Sequence, residues 1–133
     1  SRAQAIAHLG SWTHDVAGGR LAWSDEIYRI FGYEPGSFAP TFAEFVARVH
    51  PDDRARLAEA RARMLETGGA LAIEHRIMRP DGSVRWVEQR GRTVVDDAGH
   101  AVQIVGTTLD ITARKQAELK LRASEERFQL VVS

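Results

Sequence analysis

The stretch "GTTLDITARKQAEL" (residues 106–119) decides how the rest of the chain is read. Through Ile111 its β-branched residues read as a strand, and from Thr112 its Ala, Lys, Gln, Glu and Leu read as a helix. No Gly, Pro or polar loop separates the two, so one element must run directly into the other. Asp110 and Thr112 stand where the first N–H groups of that helix need acceptors, and the two can share the capping role. Further along, Ala117, Leu121, Ser124, Phe128 and Val131 follow the 4-3-4-3 spacing of a two-heptad coiled-coil seam. On the same residues, the alternative is a helix that folds back onto its own domain.

Upstream of the junction the pattern becomes one of strands. "LAIEHRIM" (71–78) alternates, with Leu71, Ile73, His75 and Ile77 on one face and Glu74, Arg76 and Met78 on the other. Turn signals in "RPDGS" (79–83) and "DDAG" (96–99) bracket "VRWVEQRGRTVV" (84–95), and "AVQIVGTTLDI" (101–111) follows. Nearer the N-terminus, "SWTHDV" and "RLAW" around the "AGG" turn at 17–19 read as a hairpin. Ser24 is placed to cap "DEIYRIF", which Gly32 closes, and Thr41 with Glu44 has the spacing of a capping box. A longer helix starts at Pro51 and stops at Gly68–Gly69, and its Asp52 and Asp53 suit the helix dipole. The first ten residues read as a short amphipathic helix with Ile6 and Leu9 on one side, stopped by Gly10. Two strands, several short helices and then a three-strand meander make the chain α+β, an antiparallel sheet with helices grouped on one face.

Composition narrows the function classes. The 133 residues are 44% hydrophobic and 27% charged, enough for one core. Eighteen basic and eighteen acidic residues cancel, so no net field draws the chain to nucleic acid or to an anionic membrane. The absence of Cys removes disulfides, thiol catalysis and cysteinyl adducts. No apolar run is long enough to span a bilayer, and a cytoplasmic location is expected, with room for a membrane anchor elsewhere in a longer protein. The five His are scattered, and no nucleophile–base pair, P-loop or metal-binding spacing can be assembled, so the chain reads as a non-enzyme.

Five segments in order, "GSWTHDV", "WSDEIYRIFGYEP", "VHPDDR", "EHRIMRPDGSVRWVEQRGR" and "IVGTTLDITARKQAE", together resemble a PAS domain of the bacterial sensor class that ends in an Asp-Ile-Thr motif. The resemblance implies a PAS fold over residues 1–111, with a five-stranded antiparallel sheet in the order 2-1-5-4-3 and helices over a central cavity. It also implies that residues 112–133 are a signalling helix running into the start of a following domain. The function it implies is a sensory and dimerisation module of a histidine kinase or cyclic-di-GMP enzyme. Alternatives are a ligand-free relay between modules and a haem or flavin redox sensor. A homodimer through the N-terminal and C-terminal helices and an output domain in the same chain are the partners expected.

Candidate cavity residues are Phe31, Phe45, Leu57, Ile73, His75, Ile77, Val87 and Gln89, a mostly apolar set with two polar groups. A ligand there is expected to be small, largely apolar and not a metal complex. The resemblance makes haem disfavoured, because the long helix before the third strand carries no His. It makes flavin disfavoured for want of Cys and Asn. His75 lies among apolar neighbours, as a hydrogen-bonded core residue or as a ligand. By the same analogy Val87 and Gln89 face the cavity, and Trp86 lies on the outer sheet face, open to the N-terminal helix or a partner. Asp110, Ile111 and Thr112, with Trp86 beside them, are the candidate link between sensing and output; the plainer alternative is that Asp110 and Thr112 only end a strand.

Overall fold

The structure is a computed structural model that describes residues 8–132. Alternating stretches form strands β1 (Leu9–Asp15), β2 (Leu21–Trp23), β3 (Ala70–Met78), β4 (Val84–Val95) and β5 (Ala101–Asp110). They pair antiparallel in one sheet, ordered β2-β1-β5-β4-β3. Between β2 and β3 run helices α1 (Asp25–Phe31), α2 (Phe42–Arg48) and α3 (Pro51–Thr67), and α4 (Thr112–Val132) follows β5. This is the α+β arrangement, with the strand order, that the resemblance implies.

Residues 1–7 of the helix expected over the first ten residues lie outside the described residues, and only its end at Leu9 and Gly10 needs correction. Those two already belong to β1, paired with Leu109 and Thr108. Gly10 stops no helix; it is the point where α1 presses on the sheet, since a Cβ there would run into Ile27. Ser24 holds the N-cap backbone position of α1, but its hydroxyl oxygen accepts from the Ser11 N–H at 3.0 Å and fastens the helix start to β1. Thr41 caps α2 as expected, accepting from the Glu44 N–H at 3.1 Å, while the Glu44 carboxylate turns to Arg48. His50 caps α3, its Nδ1 accepting from the Asp52 N–H at 3.1 Å.

Asp53 does more than complement a helix dipole. Its buried carboxylate accepts from the Arg76 backbone N–H at 2.7 Å and from the guanidinium at 3.1 and 2.8 Å, which latches α3 onto β3. Burial alone would raise its pKa, but the Arg76 hydrogen bonds outweigh it and hold the group at about 2.

Two apolar clusters fix the helices on the inner sheet face. Ile27, Ile30 and Phe31 of α1 pack with Ile77 and Val87, and Val49 and Leu57 pack with Ile73. Side chains of this kind contribute roughly 1.5–3 kcal/mol each when fully buried. The opposite face of β3 and β4 carries Glu74, Arg76, Trp86 and Glu88.

Candidate functional site

The pairing register aligns residues in rows across the inner face. One row runs Trp23, Trp12, Gly106, Gly91, Leu71 from β2 to β3. The two glycines make the space in which the Trp12 indole lies flat: a Cβ on Gly106 would stand 2.5 Å from that ring, and one on Gly91 3.0 Å. The indole therefore crosses β5 and reaches β4, where its Nε1–H donates to Gln89 Oε1 at 3.1 Å. The Thr108 hydroxyl donates to the same oxygen at 2.6 Å. Three strands thus meet at one amide oxygen.

Beside this knot lies a cavity of about 60 Å³, room for a few water-sized groups. Of the eight residues expected to line it, Phe31, Phe45, Leu57 and Gln89 do so. Ile73, His75, Ile77 and Val87 share the sheet face but are packed under the helices, away from the cavity wall. The rest of the wall comes from residues outside that set: Trp12 and His14 of β1, Leu21 and Trp23 of β2, Ile27 of α1, Phe42 of α2, Arg61 and Met64 of α3, Leu71 of β3, and Ile104 and Thr108 of β5. Arg61 had a legible signal, an arginine with Leu57, Met64 and Leu65 at helical spacing and no acidic residue three or four positions away.

The two inward histidines differ. His75 is fully buried, its ring edge-on to Phe45 at 5.9 Å, with Nδ1 3.2 Å from the Arg76 carbonyl oxygen. Burial lowers its pKa to about 4, so the ring is neutral and Nδ1 carries the proton toward that carbonyl. His14 stacks parallel on Phe42 at 5.1 Å, and burial, then the Arg61 charge, push its pKa down. Among the described residues no group of three or more metal-binding side chains gathers.

The strand–helix junction is held by a dense set of hydrogen bonds. Asp110 Oδ1 accepts from the Thr112 N–H at 2.9 Å and from its hydroxyl at 2.6 Å, and Oδ2 accepts from Arg85 at 3.1 and 2.9 Å. Burial would raise the Asp110 pKa, yet the hydrogen bonds from Thr112 and Arg85 leave it lowered. Thr112 is the first helical residue, and its hydroxyl oxygen accepts from the Trp86 N–H at 2.9 Å, which ties α4 to β4 in place of capping the helix. The Ile111 N–H donates to the Trp86 carbonyl at 2.9 Å. On the outer face Lys115 Nζ sits 4.8 Å over the Trp86 ring and 2.8 Å from Glu74, and Arg114 bonds the same carboxylate. Hydrogen bonding from Lys115 leads in lowering the Glu74 pKa. Beyond this root α4 is exposed, with Leu121 at 61% and Phe128 at 64%.

Three relatives frame this geometry. A blue-light-activated histidine kinase of Brucella anthropi is 33% identical over 113 residues, 85% of this chain and 22% of the kinase. Sensor protein FixL of Bradyrhizobium diazoefficiens is 31% identical over 124 residues, 93% of this chain and 24% of that protein. The crystal structure of a sensory box histidine kinase/response regulator from Burkholderia thailandensis E264 superimposes with a TM-score of 0.83 at 32% identity, covering 96% of this chain and 95% of that one. The chain spans about a quarter of the length of the curated relatives it matches.

These relatives correct the expectation that haem and flavin are disfavoured. With a blue-light-activated kinase and FixL among them, the absence of Cys and of a His on α3 is no ground for disfavouring a cofactor. Residues 20–108 match the family model described as PAS fold, and the chain belongs to that family, as a sensor-type domain of the kind found in histidine kinases.

Proposed function

We propose that this chain is a sensory and dimerisation module of a longer signalling protein, in which occupancy of the inner-face cavity changes how α4 leaves the sheet. The observation that carries this reading is the proximity of the cavity to the junction along two strands. Gln89 and Thr108 are register partners at the cavity, and Val87 and Asp110 are the next inward pair. That is one pleat repeat, about 7 Å. A group that pulled on the Gln89 oxygen would load the strands that hold Asp110 and Thr112.

In this reading residues 1–111 sense and residues 112–133 transmit. Phe31, Phe45, Leu57 and Gln89 contact the ligand, and Trp86, Asp110, Ile111 and Thr112 form the output joint. The residues also suit a planar cofactor in kind, since Trp12, Phe31 and Phe45 offer aromatic faces and Gln89 and Thr108 offer polar groups, although a cavity of about 60 Å³ would have to widen to admit one. A bound chromophore would supply light absorption; the chain's own groups would stack on it and hydrogen-bond its polar edge. The whole protein is read as a histidine-kinase-type receptor, from the kinases among its relatives.

The exposed apolar seam of α4 supports a homodimer through that helix, since an isolated helix of this length is marginal in water. Sedimentation of the chain against a version ending at Thr112 tests this: equal masses at micromolar concentrations would remove α4 from the dimer contact. A ligand-free relay is the second reading, and the small cavity favours it. Native mass spectrometry with an absorption spectrum separates the two. Sensing predicts a non-covalent adduct or a chromophore band, while the relay predicts the bare chain mass and no absorbance beyond the aromatic region.

A further inference from the structure

The cavity wall carries one charge and nothing to neutralise it. Arg61, on the sheet-facing side of α3, lies with its guanidinium carbon 4.4 Å over the Phe42 ring. Its Nε is buried without a hydrogen-bond partner among the described residues. The lining includes no Asp or Glu. Four other arginines of the domain are paired with carboxylates, Arg48 with Glu44, Arg63 with Glu59, Arg76 with Asp53 and Arg85 with Asp110, while Arg79, whose Nε is also buried without a partner among the described residues, lies outside the cavity wall. Next to Arg61, on the same Phe42 ring, stacks His14, 3% exposed and making no side-chain hydrogen bond among the described residues. Burial, then the Arg61 charge, lower its pKa below 6.5 against the opposing charge of Asp15, and so favour the neutral ring. It therefore offers one N–H and one lone pair, while Arg61 holds the only formal charge on the wall.

We propose that this cavity is a site for a small amphipathic organic acid, whose carboxylate meets Arg61 and the His14 ring while its apolar body lies against Trp12, Phe31 and Phe45. The proposal rests on the reading of the cavity as a ligand site and specifies the ligand's class. A guanidinium donates to a carboxylate through two parallel N–H groups, and such charge-assisted bonds strengthen where water is scarce. A neutral ligand of the same shape would desolvate Arg61 further with no compensating charge, and would bind less well for that reason. The acid would lie beside the Gln89–Trp12–Thr108 knot, in a cavity bounded by the same β4 and β5 that hold α4.

The test is calorimetric titration of the intact chain with propanoate and with butanoate, acids small enough for a cavity of about 60 Å³, each against its uncharged amide. The proposal expects at least one acid to bind about tenfold or more tighter than its amide, the ratio that a charge-assisted hydrogen bond supports. In Arg61→Gln that preference should collapse to near unity, with apolar binding retained. The comparison on the unaltered chain stands even if the variant folds poorly. Amides that bind as well as their acids would overturn the anionic class while leaving a ligand-binding cavity. An acid preference unchanged in a folded Arg61→Gln would overturn the role of Arg61. Binding of neither acid nor amide would count against both this proposal and the sensory reading.

Discussion

The inner face of the sheet has a filled end and a hollow end. Around Ile77 and Val87, fully buried side chains from α1 and two strands interdigitate, and His75 beside them has its Nδ1 proton committed to a backbone carbonyl. Around His14 and Ile104 the wall is aromatic and open, and the buried Arg61 Nε on it lacks a hydrogen-bond partner among the described residues. One alternating strand pattern serves both ends. The difference teaches that, in the proposed sensory reading, the part that holds the fold together and the part that takes a ligand are separate, with the Gln89 knot at the boundary.

The largest effect expected from breaking this contrast is at the filled end. Ile77→Ala should cost about 2–5 kcal/mol, as large-to-small changes in a packed core do. Leu21→Ala, on the half-buried rim of the hollow end, should cost clearly less. Urea denaturation of both variants measures the gap, and equal losses would remove the distinction.

Acid sharpens it next. His75 has a folded pKa of about 4, below its ordinary 6.5, so the unfolded chain takes up its proton first as pH falls. Its contribution is complete above pH 6.5 and is lost as pH drops toward 4, at up to roughly 1.4 kcal/mol per pH unit. The nearby Asp53 charge works against that depression and the Arg56 charge works with it. Between pH 3.8 and about 2 the stabilisation from the Asp53–Arg76 latch is lost in turn, because the unfolded chain takes up that proton first. Stability measured across pH 4–7 should fall on the acid side in the native chain, and His75→Leu should flatten most of that slope.

At the boundary, Gly106→Ala would push a methyl group against the Trp12 ring and the Arg90 carbonyl. A loss of about 1–3 kcal/mol is expected, as for other overpacked sites. The tryptophan emission should shift as the indole leaves Gln89. The smallest effect is at Asp110. Asp110→Ala removes one helix-end acceptor and one partner of the half-exposed Arg85, worth about 1–2 kcal/mol. Its melting temperature should move by only a few degrees, while output from the intact receptor should change.

The fold was legible because strand alternation, turn residues and helix stops agreed along the chain. The cavity was half legible, for a physical reason. Alternation tells which face a side chain takes but not how far along the strand a helix covers it, so Ile77 and Gln89 looked equivalent. The floor of the cavity depends on Gly91 and Gly106 giving room to Trp12, a relation among three strands that no local pattern encodes. Gly10 read as a helix stop because a glycine marks close approach as well as chain ends. Asp53 read as a dipole partner because Arg76 is distant in sequence. At the junction, the absence of a loop after Ile111 was itself the signal, although Thr112 bonds β4 and does not cap α4.

The central claim is that the cavity and the root of α4 are mechanically one unit. Amide hydrogen exchange at Ile111, Thr112 and Lys115, compared between the native chain and Gln89→Leu, tests it most directly. Leu at position 89 removes the shared acceptor for Trp12 and Thr108 without touching any bond of the junction. The account predicts several-fold faster exchange at those three amides, whose acceptors are Trp86, Asp110 and Ile111. Unchanged exchange there, alongside altered exchange at Trp12 and Thr108, would contradict it.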